Sequence, residues 1–443
     1  MNNENITGFV GLTHLGIVSS ICWSSRFPPA IAVDPNQGII NKLSSGELPI
    51  EEPKLGDLLN KSRNNINFTT DFSLLSGCST IFVTQDIKTD ENNRSDYSSF
   101  YDLVEKAIPY LSKGTKIVVM SQVSVGTCSE LTNYIKKKRP DLDFELFYMV
   151  ETLIIGNAVD RFLQPERIIL GTASGSSDVF DKYVAFKNRL NGFGAPLVIM
   201  KYESAELTKL AINFYLFNSV SYANTIADIC EAYGADMNQI IPALRLDKRI
   251  GPYAYIRPGL GVTGGNLERD MMSLMVLLKN KTLNSELIEV LVNLNKTRYK
   301  WVEKKLQTYL FPNVKKPKIC IWGLAYKRDV TSLKNSIALN LIDELSDEAI
   351  FSAYDPLVKS TGSPGNIVIG HDRYAAAQGS HCLIVLTDPD EFKEVDVEKL
   401  KKLMEYPLII DCVNLYSSCI EELKDFKYIA IGKAIKEAED EKT

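Results

Sequence analysis

Lys209 and Asn213 stand four residues apart in Ala205-Glu206-Leu207-Thr208-Lys209-Leu210-Ala211-Ile212-Asn213, a spacing that puts both on one face of a helix. An ammonium so placed stabilises the alkoxide that develops when an alcohol loses hydride, and the amide can hold the same oxygen or a water. A lysine snorkelling from a helix surface fits the spacing too. A second chemical signal lies near the amino terminus. Thr7-Gly8-Phe9-Val10-Gly11-Leu12 sits where a dinucleotide-binding turn would open a helix. Asp34 closes the next strand about 20 residues on, where a carboxylate accepts ribose hydroxyls. On this reading Gly8, Phe9, Val10 and Gly11 face the cofactor, Gly8 letting the backbone approach a pyrophosphate and Gly11 allowing close packing. Ile6 stands where a first glycine is expected, so the turn lacks a residue suited to positive φ and holds a dinucleotide weakly. A strand-to-helix turn with no ligand fits the local pattern equally.

Other chemistries find little support. The three histidines, His14, His371 and His381, form no His-Glu-x-x-His motif and suggest no serine-histidine triad. Eight cysteines are scattered without Cys-x-x-Cys spacing, which predicts reduced, buried thiols and neither a metal site nor a disulfide frame. The 50 Lys plus Arg against 55 Asp plus Glu give a net charge of -5, which implies no nucleic-acid partner. No apolar run approaches the ~18 residues of a membrane span, so a cytoplasmic protein without membrane association is expected.

The elements that must position these groups follow from pattern. Short β-branched or aromatic runs at 30–33, 80–84, 116–120, 146–150, 167–170 and 197–200 alternate with helical stretches, which predicts a parallel, doubly wound sheet. A long helix over 204–233 follows, then helices over 237–244 and 270–310 with a break near Asn280. Strands return at 319–322, 350–354, 382–386, 408–411 and 428–431, after the turn-rich segment 311–317. The expected fold is α/β: two Rossmann-like doubly wound domains, 1–200 and 318–443, joined by a long central helix. A helical dimerisation region over 201–311 makes the chain a homodimer, because a helix apolar on most sides needs cover on most sides.

Nearly the whole chain resembles the UDP-glucose/GDP-mannose dehydrogenase family. Gly8-Phe9-Val10-Gly11-Leu12 is similar to the family's Gly-Tyr-Val-Gly-Leu, and Ile50-Glu51-Glu52-Pro53-Lys54-Leu55 to its Ile-x-Glu-Pro-Gly-Leu. Further resemblances are Ser121 to Thr127, Asn157-Ala158 through Arg167, Ala205 to Asn213, Lys248-Arg249-Ile250-Gly251, Pro258 to Asp270, Gly323-Leu324-Ala325-Tyr326-Lys327 and Tyr354-Asp355-Pro356. The resemblance implies NAD-linked oxidation of a nucleotide-sugar's primary alcohol, in two hydride transfers, for polysaccharide biosynthesis. It makes Lys209 and Asn213 catalytic, with Glu151 positioning a water or taking a proton and Asp270 working beside the lysine. Local readings of the last two are a strand-end carboxylate and a helix N-cap. Arg249 falls on an arginine reaching across a dimer to the neighbouring substrate, Lys327 on a lysine holding the nucleotide-sugar, and Gly259, Gly261, Gly264 and Gly265 on a loop approaching the sugar. A purely structural glycine-rich turn is the alternative there.

The departures are chemical. The family loop Pro-Gly-x-Gly-Phe-Gly-Gly-Ser-Cys-Phe-Pro-Lys-Asp carries a nucleophilic cysteine, and here Asn266 takes its place. An amide nitrogen has its lone pair delocalised and cannot form the acyl-enzyme. Gln122 replaces a threonine that orients water, Arg269 a lysine, and Lys334 an arginine that meets the cofactor phosphates. The expected activity is therefore noncovalent NAD-linked oxidation of a UDP-sugar, stopping at two electrons or passing through an aldehyde hydrate. Epimerisation by transient oxidation, and a degenerate homologue that only binds nucleotide-sugar, are the alternatives.

Overall fold

The computed structural model describes residues 6–89, 95–263, 266–360, 367–417 and 421–435. The chain folds as two compact units, 1–212 and 213–443, with the boundary inside the helix Tyr202–Tyr233. The helices of the middle third beyond that boundary group with the second unit.

The first unit holds β1 (Thr7–Val10), β2 (Ala30–Val33), β3 (Ile66–Thr69), β4 (Thr80–Val83), a two-stranded hairpin of β5 (Lys88–Thr89) and β6 (Ser95–Asp96), β7 (Thr115–Val119), β8 (Phe144–Met149), β9 (Ile168–Thr172) and β10 (Leu197–Lys201). Its main sheet runs β10-β9-β8-β7-β4-β1-β2-β3. Six of these, β3-β2-β1-β4-β7-β8, are parallel and reproduce the dinucleotide-binding order, whose reversal between β1 and β4 opens a crevice at the strands' carboxyl ends. Successive residues serve opposite faces. Phe9 and Phe82 stack at 5.0 Å on one side, against Trp23 of the first helix His14–Arg26, while Val10, Ile81 and Val83 pack into the core on the other. The expectation of an all-parallel sheet fails at one place, where β8 and β9 pair antiparallel.

The second unit begins with helices, among them Met237–Leu246, Asn266–Asn280, Glu286–Thr297 and Lys300–Tyr309. It then builds a sheet from β11 (Lys318–Trp322), β12 (Ile350–Tyr354), β13 (Ile367–Ile369), β14 (Cys382–Val385), β15 (Leu408–Asp411) and β16 (Lys427–Ala430). The order β13-β12-β11-β14-β15-β16 is parallel throughout and repeats the dinucleotide pattern. Ile319 and Ile321 point into one core with Leu306 and Leu341, and Cys320 and Trp322 into the other with Phe392.

Candidate active site

The first unit's turn lies one step further along than the glycine motif suggested. Gly8 to Val10 are strand: Gly8 pairs with Ile31 and Ile81 inside the sheet, so these three residues form no cofactor loop. A Cβ on Gly8 would come within 2.9 Å of the Leu75 side-chain tip and 3.2 Å of Cys78 Sγ, so the position is closely packed. Ile6 therefore replaces no turn glycine. The residue at positive φ is Gly11, at +93°, whose amide donates to the Val33 carbonyl at 3.0 Å. In the helix beyond, a Cβ on Gly16 would fall 1.8 Å from the Gly11 carbonyl oxygen. Residues 11 to 16, Gly-Leu-Thr-His-Leu-Gly, thus supply the tight turn and the close helix-strand packing of a Gly-x-Gly-x-x-Gly fingerprint. Thr13 stands at its middle glycine. Asp34, buried after β2, accepts from the Leu12 amide at 2.8 Å and the Asn36 amide at 2.8 Å. A carboxylate has about four lone-pair sites, so two remain for ribose hydroxyls. The turn fits a dinucleotide.

The second unit repeats the device. Gly323, at φ +98°, follows β11 and donates to the Tyr354 carbonyl at 2.9 Å, and a Cβ on it would strike Thr387 Oγ1 at 2.1 Å. Asp355, after β12, accepts from the Leu324 and Ala325 amides at 2.8 and 3.1 Å. Tyr326 and Lys327 continue this turn, the Lys327 ammonium lying 5.7 Å from the Tyr326 ring centre. Lys334 is exposed further along the same loop.

At the carboxyl end of β8, Glu151 is joined by Lys209. The ammonium donates to the Glu151 carbonyl at 2.9 Å and to its carboxylate at 3.1 Å, and the carboxylate also takes the Leu153 amide. Both side chains are largely withdrawn from water, at 13% and 15% exposure. In the second unit Asn213 donates its amide to Asp270, whose other oxygen meets Arg269 Nε at 3.1 Å. Asp270 is 1% exposed and lies inside the helix Asn266–Asn280, so it is not the N-cap that local pattern allowed. The loop 258–263 is pinned by side chains. The Gly259 amide donates to Asn224 Oδ1 at 2.8 Å, Arg298 reaches the Gly259 carbonyl at 3.1 Å, and Asn295 bridges both backbone groups of Val262. Gly261 has φ +100° and leaves no room for a Cβ beside Asn295. Gly264, Gly265 and the Asn266 side chain lie outside the described residues. Arg249 projects to the surface, 88% exposed, its guanidinium paired with Asp247 at 2.6 Å.

Three features escaped sequence reasoning. Glu206, fully buried, accepts from the Gly126 and Cys128 amides at 2.6 and 2.8 Å and so ties the start of the central helix to the helix Thr127–Lys138. Glu52 takes the Gly156 and Ala158 amides at 3.0 and 2.8 Å and meets His14 Nε2 at 3.0 Å. Asp86 accepts from the Leu15 amide at the start of the first helix. A carboxylate facing free helix amides is the shared signal, invisible until the chain brings segments 38 to 106 residues apart together. The seven described cysteines are buried and free, and burial pushes the Cys78 and Cys320 thiols up to about 12, far from thiolate chemistry.

A parallel sheet in dinucleotide order with a glycine turn and a strand-end aspartate, followed by a second such sheet and turn, defines a protein of two Rossmann-like nucleotide-binding units. Residues 5–184 match the NAD binding domain of the UDP-glucose/GDP-mannose dehydrogenase family, 203–297 its central domain and 320–418 its UDP binding domain. The chain belongs to that family and is an NAD-dependent enzyme of the nucleotide-sugar dehydrogenase type. It is similar to a UDP-glucose 6-dehydrogenase of Rickettsia bellii, 29% identical over 439 residues covering 97% of this chain and 100% of the relative. In fold it resembles the UDP-glucose dehydrogenase of Pyrobaculum islandicum, with a TM-score of 0.83 at 20% identity, covering 97% of this chain and 98% of that one. The UDP-D-ManNAc dehydrogenase of Pyrococcus horikoshii gives 0.82 at 21% identity, covering 96% and 99%. No helix among the described residues is long and apolar enough to cross a membrane.

Proposed function

We propose that the chain oxidises the primary alcohol of a UDP-sugar by two electrons, to the aldehyde, with no covalent enzyme intermediate. The observation that carries this reading is the Lys209 ammonium seated on Glu151 at the carboxyl end of β8, where ligands of such sheets bind. Bound NAD supplies the acceptor for the hydride leaving the sugar carbon. Lys209 meets the alcohol oxygen and stabilises its developing charge, and Glu151 takes the hydroxyl proton. Asn213, one turn along the helix and held by Asp270, orients the same oxygen or a water. Asn266, at the place of the family's nucleophilic cysteine, offers hydrogen bonds that hold an aldehyde or its hydrate without trapping it.

Gly11, Gly16 and Asp34 would hold the dinucleotide, and Lys334 stands at the place of the family's arginine for the cofactor phosphates. Lys327, the loop from Gly259 through Gly261 to Gly265, and Arg249 reaching across a homodimer hold the nucleotide-sugar, since ammonium and guanidinium groups suit a diphosphate. The test is to incubate UDP- and GDP-sugars with NAD, count NADH per sugar consumed, and trap aldehyde with a hydrazine. One NADH per UDP-sugar together with a hydrazone is expected. Two NADH with a carboxylate and no trappable aldehyde overturns the two-electron reading, and a thiol-sensitive acyl adduct on the protein overturns the noncovalent one.

A further inference from the structure

We propose that Asp86 is a resident anion on the cofactor's pyrophosphate seat, and that this chain's affinity for NAD is set by displacement of its own carboxylate. The proposal rests on residues 11 to 16 being the dinucleotide turn.

The first amides of a helix have no partner within it and carry a partial positive charge, which is what draws a pyrophosphate to this end of a dinucleotide fold. In the helix His14–Arg26 the amide of the second residue, Leu15, already has an acceptor: Asp86 Oδ2 at 3.2 Å. The carboxylate is not there by chance of rotamer alone, because its backbone is tied to the same helix end. The Asp86 amide donates to Thr13 Oγ1 at 2.9 Å, and that hydroxyl donates in turn to the Thr84 carbonyl at 3.3 Å.

A threonine at an N-cap ordinarily accepts from an amide two or three residues on. Thr13 makes no such bond. Its hydroxyl instead clips the segment after β4 to the turn, at the position where a dinucleotide fingerprint keeps a glycine so that the backbone can approach the phosphates. The neighbouring Gln85 is buried, its Oε1 3.0 Å from where a Gly11 Cβ would lie, and its amide donates to the Asp86 carbonyl at 3.3 Å. Gln85 thus fixes the backbone beneath Asp86, whose own side chain is exposed and able to swing aside.

Two anions cannot share one helix amide. A pyrophosphate that docks here takes the Leu15 N–H from Asp86 and leaves the displaced carboxylate close by, so that both the lost bond and the like-charge repulsion oppose cofactor binding. The seat is built for a dinucleotide and gated by a charge of the chain's own.

The experiment measures NAD binding calorimetrically to the full-length wild type, Asp86→Ala and Asp86→Asn, with adenosine as a phosphate-free probe. Asp86→Ala is expected to bind NAD about ten-fold more tightly or better, the scale of one helix-terminus charge contact. Asp86→Asn should also tighten binding, because its carbonyl can keep the Leu15 bond while the repulsion is gone. Adenosine should bind all three alike. NAD affinity that is unchanged or weaker in Asp86→Ala, with wild-type binding intact, overturns the proposal and leaves the turn's assignment standing. A lower melting temperature with the same NAD affinity would mark a helix cap alone and overturn it as well. No NAD binding to any of the three at millimolar concentration overturns the assignment of the turn, and the proposal with it.

Discussion

Withdrawing an ammonium from water costs several kcal/mol unless a carboxylate and further acceptors stand beside it. Lys209 has both, the Glu151 carboxylate at 3.1 Å and the Glu151 carbonyl at 2.9 Å. The pair keeps a positive charge in a poorly hydrated place, where its field on a developing alkoxide is weakly screened. Removing it removes a contact made chiefly in the transition state, so Lys209→Ala is expected to lower kcat by about two orders of magnitude or more, with the affinity for NAD retained. Steady-state rates alongside calorimetric NAD binding check this, and a variant within a factor of about three of wild type would remove Lys209 from the proposed chemistry. At this scale much was legible. Four-residue spacing put Lys209 and Asn213 on one helical face, and side-chain identity alone excluded a thiol at position 266. The partners were not legible, because nothing local to Lys209 points to Glu151, 58 residues away.

Among the elements, the start of the central helix is held by a charge with nowhere to go. Glu206 is fully buried, and desolvation pushes its carboxyl above the usual range while the Cys128 and Gly126 amides pull it back. A carboxyl whose folded pKa lies above its unfolded value binds its proton more tightly in the fold. Its contribution to stability is whole below the unfolded pKa of about 4.3 and is lost as the pH rises through the folded value. Asp411, buried after β15, is raised in the same direction by the same cause. In Glu206→Gln this titration is absent, so the margin by which wild type outlasts the variant in thermal melts should narrow as the pH rises above about 4. A margin that widens would show that the amides, and not burial, dominate.

The elements also show where pattern reading stopped. Gly8 was read as a turn residue because glycine usually marks one. It sits in β1, paired with Ile31 and Ile81 and with Leu75 and Cys78 close to where a Cβ would lie, a tertiary fact without local trace. The reversal between β8 and β9 is of the same kind, since periodicity reports that a strand is half or fully buried and says nothing about its direction.

The whole molecule repeats one plan. Each unit ends its first strand in a glycine at φ near +95°, Gly11 at +93° and Gly323 at +98°, and each has an aspartate after the second strand that accepts from the turn. That plan was legible from the alternation of strands and helices, since only a parallel sheet needs a crossover between successive strands. The helices that lie between the two sheets in chain order carry a feature that neither sheet explains. Tyr215, Tyr222 and Ile229 recur at seven-residue spacing on the helix Tyr202–Tyr233 and are 60%, 43% and 49% exposed. On the helix Glu286–Thr297, Leu287, Val290 and Leu294 form a second exposed stripe at helical spacing.

Apolar residues at a heptad interval are the seam of a helix-helix contact, and their exposure in a single chain calls for a partner. The proposed homodimer supplies one, and light scattering should report twice the chain mass of 49.6 kDa. Lysines at positions 222 and 229, in Tyr222→Lys with Ile229→Lys, should leave a monomer at micromolar concentration. Because the dinucleotide turn lies wholly within residues 1–212, that monomer should still bind NAD. Because Arg249 is proposed to act on the neighbouring chain's substrate, the same monomer should lose sugar oxidation, and so should dimeric Arg249→Ala. A wild type that is monomeric overturns the dimer, and a monomeric variant with full turnover shows that each chain completes its own site.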